Sequence, residues 1–241
     1  MRRLVPLLFG LFFCRALAQN ALTADDLVSR NIKARGGMAR LAGIKTLRTT
    51  YATEEDGKPV QLIEVRKRPN LLRRDITFQG NTIIFAYDGK TAWQSSSQAK
   101  GPSPVPAELA LELKEEADFD GSMVNYKEKG STVELVGKEK SGAKGVYNLK
   151  VTSKEGHVVH VYLDAGNFLE VKETGSYKKA GKPVDYVTLS KDYRPVQGIL
   201  FPFLVEQKEN DEENQVVHVK KIEPNVRIVD SFFTMPATTS R

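Results

Sequence analysis

Three histidines, His157, His160 and His218, are the residues of this 241-residue chain best suited to metal ligation or general-base work near neutral pH. Their spacing argues against both. On one strand His157 and His160 stand an odd number of residues apart, so they point to opposite faces and cannot share an ion. A serine nucleophile would need a G-x-S-x-G elbow or an S-x-x-K motif with its companions; the sequence has neither, and no H-E-x-x-H helix. The stretch from Gly175 to Pro183 has the look of a phosphate loop, but it has one residue too many between its glycines. It also carries Pro183 where a hydroxyl would meet magnesium, and it reads as a hairpin turn. Glu115 and Glu116 are neighbours on a helix, where side chains diverge by about 100°, so they are not placed to share a proton and read as a solvated face. The expectation is a chain with no catalytic residues, no metal site and no cofactor.

Binding chemistry is better represented. Arg66, Lys67, Arg68, Arg73 and Arg74 form the densest positive cluster, split by Pro69-Asn70. Arg66, Arg73 and Arg74 are candidate contacts for an anionic head group, the alternative being the solvated face of a hairpin. Phe78, Phe85, Trp93, Leu109, Leu113, Tyr162, Phe168, Phe201 and Phe203 are candidates to line an apolar ligand cavity, the alternative for each being ordinary core.

The first eighteen residues read as an export signal. Arg2 and Arg3 precede an apolar run from Leu4 to Phe13, and Ala16-Leu17-Ala18 is an A-x-A cleavage site. That run is shorter than the roughly 20 apolar residues a membrane span needs. Cleavage would leave one domain, residues 19–241, in the periplasm. It would also remove Cys14, the only cysteine, and lower Lys+Arg from 36 to 33 against 30 Asp+Glu. Phe12 and Phe13 ahead of Cys14 are unlike the small residues of a lipidation signal. The remaining charge, about +3, gives no basic surface for nucleic acid.

These residues need elements to position them. Thr23 and Asp26 make a near capping box for a helix bearing Leu27, Val28 and Ile32, which Gly36-Gly37 ends, with one further turn over 38–44. Alternation such as Tyr147, Leu149 and Val151 against Asn148, Lys150 and Thr152 then predicts strands. Twelve segments qualify: 46–53, 60–68, 71–78, 82–87, 91–95, 132–139, 144–153, 157–164, 168–177, 184–193, 199–209 and 214–223. Short turns make them an antiparallel meander. A Pro-rich loop from Gly101 leads into a second amphipathic helix from Pro106 to about Phe119, with Glu108, Glu112, Glu115 and Glu116 toward water. The fold class is α+β, mainly β: a large curved antiparallel sheet, an incomplete barrel, with helices on its concave face and an apolar cavity beneath them.

The order of several short motifs resembles the outer-membrane lipoprotein-sorting proteins, the LolA/LolB-like superfamily. They are Ala34-Arg35-Gly36-Gly37 with Ile44-Lys45-Thr46-Leu47, Arg68-Pro69-Asn70, and Asp88-Gly89-Lys90-Thr91-Ala92-Trp93. Later come Asp192-Tyr193-Arg194, Gly198 to Pro202, Ile222 to Val226 and Asp230 to Pro236. The resemblance implies an incomplete barrel of about eleven strands with a helical lid. It further implies a monomeric carrier that holds lipid or lipoprotein acyl chains, with inner- or outer-membrane protein partners. A cation near the cavity would gate the lid, and Arg73 is the position it suggests. The alternative within the superfamily is an envelope sensor or scaffold that binds a protein partner through the same half-barrel.

Overall fold

The computed structural model describes residues 22–141, 144–179, 181–210 and 212–237; the export signal and Cys14 lie outside them. Helix α1 spans Ala24–Arg35, and the full Thr23/Asp26 capping box starts it. Gly36 ends it at φ 129°, where a side chain is doubly excluded, since a Cβ would also stand 2.4 Å from the Gly198 carbonyl oxygen. The short helix α2 follows over Met38–Gly43.

Among the described residues thirteen strands come next: β1 (Thr46–Glu55), β2 (Lys58–Lys67), β3 (Leu71–Phe78), β4 (Asn81–Tyr87), β5 (Ala92–Ser96), β6 (Ser103–Pro104), β7 (Thr132–Ser141), β8 (Lys144–Thr152), β9 (Val158–Asp164), β10 (Glu170–Lys179), β11 (Lys182–Val196), β12 (Ile199–Glu209) and β13 (Glu212–Pro224). Helix α3 (Ala107–Glu116) lies between β6 and β7. All twelve predicted strands are present. The thirteenth, β6, has only two residues, one a proline, too few for a period to show.

The strands form one antiparallel sheet in the order β6-β5-β4-β3-β2-β1-β13-β12-β11-β10-β9-β8-β7, which is not closed into a barrel. Two meanders therefore meet where the first strand pairs with the last, Leu47 opposite Pro224 and Tyr51 opposite Val219. The chain's middle supplies both edges. Segment 105–131, which includes α3, joins them across the concave face.

Cross-strand register fixes the faces. Thr49, Glu64, Arg74, Phe85 and Gln94 are successive partners and share one side. That side faces α3, because Phe85, Leu72, Tyr87 and Ala92 pack with Leu109, Leu113 and Ala117 of the helix. At the far end of the same side, Leu27 and Val28 of α1 pack on Leu149, Val151, Val161 and Leu163. A third cluster, Leu41, Ile44, Ile199, Phe119 and Phe201, closes one end beside α2. The opposite, convex face of β2 to β5 is covered by the C-terminal segment, where Phe233 is fully buried and its carbonyl accepts a 2.7 Å bond from Trp93 Nε1.

A charged stripe on the concave face

Between the two roofs the middle strands keep an open trough. Tyr51, Leu62, Phe201, Phe203, Val205 and Val217 have register positions on the concave side, yet each is only half-buried. Two surface depressions, of about 490 Å³ at Lys45, Thr46, Lys67 and residues 225–229 and of about 340 Å³ at Gly145 and residues 164–167, are open and lie away from this trough. Among the described residues no group of three or more His, Cys, Asp or Glu is placed to hold a metal.

The trough is not purely apolar. Strand β2 carries Leu62, Glu64 and Arg66 on its concave side, so a carboxylate and a guanidinium follow the leucine into it. Glu64 Oε1 accepts from Arg66 Nε at 2.7 Å, and Glu64 Oε2 accepts from Arg74 Nη2 at 2.8 Å. Burial would push the Glu64 carboxyl up, but the two guanidiniums outweigh it and hold it down to about 2. Arg74 also lies 3.1 Å from Glu116 Oε2 on α3. Burial, then the Glu116 charge, raises the Glu112 carboxyl one turn earlier.

The other flank of α3 is tied to the far meander by polar contacts. Lys114 Nζ meets Glu155 at 2.8 Å, and Glu115 Oε2 lies 2.8 Å from His157 Nδ1. Nearby, Tyr186 donates to Glu173 at 2.9 Å, across a Gly175 at which a Cβ would strike the Tyr186 ring. Burial raises the Glu173 and Glu170 carboxyls. Helix α3 is thus glued to β4 and β5 by carbon and to the β8 to β10 side by charge.

The Glu115 hydrogen bond, opposed by burial, raises His157 to about 9. A histidine raised on folding adds stability that is complete below its unfolded value near 6.5 and disappears as pH rises through about 9. Urea midpoints should therefore fall between pH 6.5 and 9 in the native chain. In His157→Gln they should start lower and stay nearly flat over the same range.

The structure distributes the sequence candidates over both faces. Phe85, Leu109 and Leu113 meet in the cluster under α3, Phe168 joins the α1 cluster and stacks on Tyr147, and Phe201 joins the α2 cluster. Phe203 lies in the trough beneath Arg194, and Phe78 is at the end of β3 on the concave side. Tyr162 faces away, under Lys172. Trp93 also faces away, beneath the C-terminal segment. The arginines divide by parity: Arg66 and Arg74 enter the trough, whereas Arg73, adjacent to Arg74, must take the other face. There it lies over Phe232 at 4.3 Å and pairs with Asp75. Arg73 is therefore no gate of the concave side. Arg68 is structural, binding Asp120, the Leu41 and Ile44 carbonyls and the face of Phe119.

Two expectations need correction. Glu115 and Glu116 are not a solvated helix face, because they pair with His157 and Arg74 across the concave side. Glu112 is likewise partly withdrawn from water. Their signal was present in the sequence, since Glu112 and Glu116 flank Leu113 and Ala117 on the buried side of one helix and need a cation opposite. His157 is likewise more than an ordinary strand residue.

An open antiparallel sheet with helices laid along its concave side defines a class of fold, that of an incomplete barrel whose middle strands are left uncovered. Comparison with solved structures gives that class its name: the chain has the LolA-like fold. It superposes on a LolA superfamily protein from Nitrosomonas europaea with a TM-score of 0.58 at 15% identity, covering 89% of this chain and 98% of that one. A putative outer membrane lipoprotein-sorting protein domain from Vibrio parahaemolyticus gives 0.57 at 12%, covering 87% and 97%. A DUF1329 family protein from Desulfovibrio piger gives 0.54 at 13%, covering 88% and 97%. No family model matches the sequence, and no curated protein does.

Proposed function

We propose that this protein is a non-catalytic periplasmic carrier that holds a lipid or lipoprotein acyl chain along the concave face. The observation that carries this reading is the row of half-buried side chains, Phe203, Val205, Val217 and Tyr51, left uncovered between two closed helical roofs. A guest chain would cover surface that the fold leaves wet. Each methylene it buries contributes about 0.8 kcal/mol, so a chain of ~14 carbons needs no covalent attachment to be held. Release then requires an acceptor that binds the guest in a different state of the roof. Export in a cleaved-signal form supplies the compartment, and among the described residues no helix is long and apolar enough to cross a membrane.

Native mass spectrometry of protein isolated from the envelope without detergent is the test. Co-purified acyl species, lost on Phe203→Asp substitution in the trough, are the expected result. An apo mass at every charge state, together with no uptake of a fluorescent fatty acid, would exclude a carrier. Tight binding of a protein partner by fully delipidated material would favour the sensor reading instead.

A further inference from the structure

The segment that leaves β13 crosses the ends of β1 and β2 on the convex side and is pinned at nearly every step. Asn225 takes φ 59° and donates its N–H to the Thr46 carbonyl at 2.8 Å, while its Oδ1 accepts from Lys45 N at 2.8 Å. Thr46 Oγ1 donates to the Val226 carbonyl at 2.6 Å, and Lys67 Nζ donates to the Ile228 carbonyl at 2.8 Å. The Val229 carbonyl accepts from Phe232 N, next to the fully buried Phe233. With its backbone held on both sides, Val229 still stands out into solvent. It is 69% exposed, more than any other large apolar residue among those described.

Beside it, the depression of about 490 Å³ is lined by Lys45, Lys67 and Arg227 and by no acid. Asp230 neutralises Lys67 from 2.6 Å. The other two charges stay free. Lys45 Nζ donates to the Ala42 carbonyl, a neutral acceptor, and the exposed Arg227 makes no hydrogen bond or ion pair among the described residues.

We propose that this end of the sheet docks on an anionic membrane, with lipid phosphates on Lys45 and Arg227 and Val229 seated at the boundary of the acyl layer. Each cation near an anionic lipid surface raises partition about fivefold. An apolar side chain at the head-group boundary adds to that attraction. A nucleic acid or a soluble anion would meet the cations and leave the valine wet. A bilayer offers phosphate and hydrocarbon within one side chain's reach of each other, and so satisfies both. Two free cations and one valine make a weak, reversible contact, which is independent of what the trough holds.

Co-sedimentation of protein isolated from the envelope with sucrose-loaded vesicles at ~0.1 M salt is the test. Vesicles of equal parts phosphatidylglycerol and phosphatidylcholine should bind it at least tenfold more strongly than phosphatidylcholine alone. About 1 M salt should remove the difference. Lys45→Gln combined with Arg227→Gln should lower the partition tenfold or more, and Val229→Asp should lower it at least fivefold. Val136→Asp makes the same change of charge at a valine 54% exposed on the edge strand β7, and should leave the partition within about twofold. All the substituted residues are exposed, so circular dichroism spectra should stay native in every variant. Equal binding to both vesicles, no binding to either, or equal losses in Val229→Asp and Val136→Asp would overturn the docking surface and leave the carrier reading untouched.

Discussion

Replacing Glu64 by glutamine is expected to destabilise the protein by about 3 to 5 kcal/mol, the cost of removing one partner from a buried ionic group. Glu64 is the centre of the concave stripe: its side chain is only 8% exposed and carries contacts to both Arg66 and Arg74. The glutamine would leave two guanidiniums in a poorly solvated trough with Glu116 as the remaining ion-pair partner. The same residue sets the acid limit of the fold. Its carboxyl is held near 2 in the native state, against an ordinary value near 4.5. A carboxylate lowered on folding stabilises above its unfolded value and loses that contribution as pH falls through its folded one. Chemical denaturation of the native chain should show stability declining between about pH 5 and pH 2. In Glu64→Gln that decline should be shallower, because its main source is gone. A variant with native stability at pH 7 would show that the stripe is not a coupled ionic unit.

On the other side of the sheet, Phe233→Ala should cost about 3 to 5 kcal/mol, as expected for truncating a fully buried aromatic. Phe233 meets Phe232 edge to face at 5.5 Å, and the segment it anchors shields Trp93. The variant's Trp93 emission should shift to the red, and its melting midpoint should drop by about 10 °C. Lipid binding at low temperature should be unchanged, since Phe233 and the trough lie on opposite faces. A large loss of binding from Phe233→Ala, with the fold intact, would contradict that separation.

The strands were legible because their period of two is strong wherever one face meets core, as in Tyr147-Leu149-Val151. The capping box at Thr23 and Asp26 was equally local. What could not be read was which face of each strand is concave. β2 shows why: Leu62, Glu64 and Arg66 lie on one side, Ile63, Val65 and Lys67 on the other, and both rows mix apolar with chargeable residues. The decision is made by α3 on one side and by residues 226–236 on the other, both distant in sequence. Trp93 and Phe233 are 140 positions apart, and no local pattern links them. Arg73 and Arg74 were grouped because they are adjacent; in a strand adjacency is what separates them.

The seam between β1 and β13 also dictates an order of assembly. Thr46 to Phe78 and Thr132 to Val205 can each fold back on themselves through turns of a few residues, but Leu47 finds Pro224 only after nearly the whole chain has emerged. Long-range pairings of this kind carry the largest loop-closure entropy and come late. Each half-sheet would then present a bare central edge until the last hairpin arrives, and a chain stalled before residue 212 would be the species most prone to stick to its own kind.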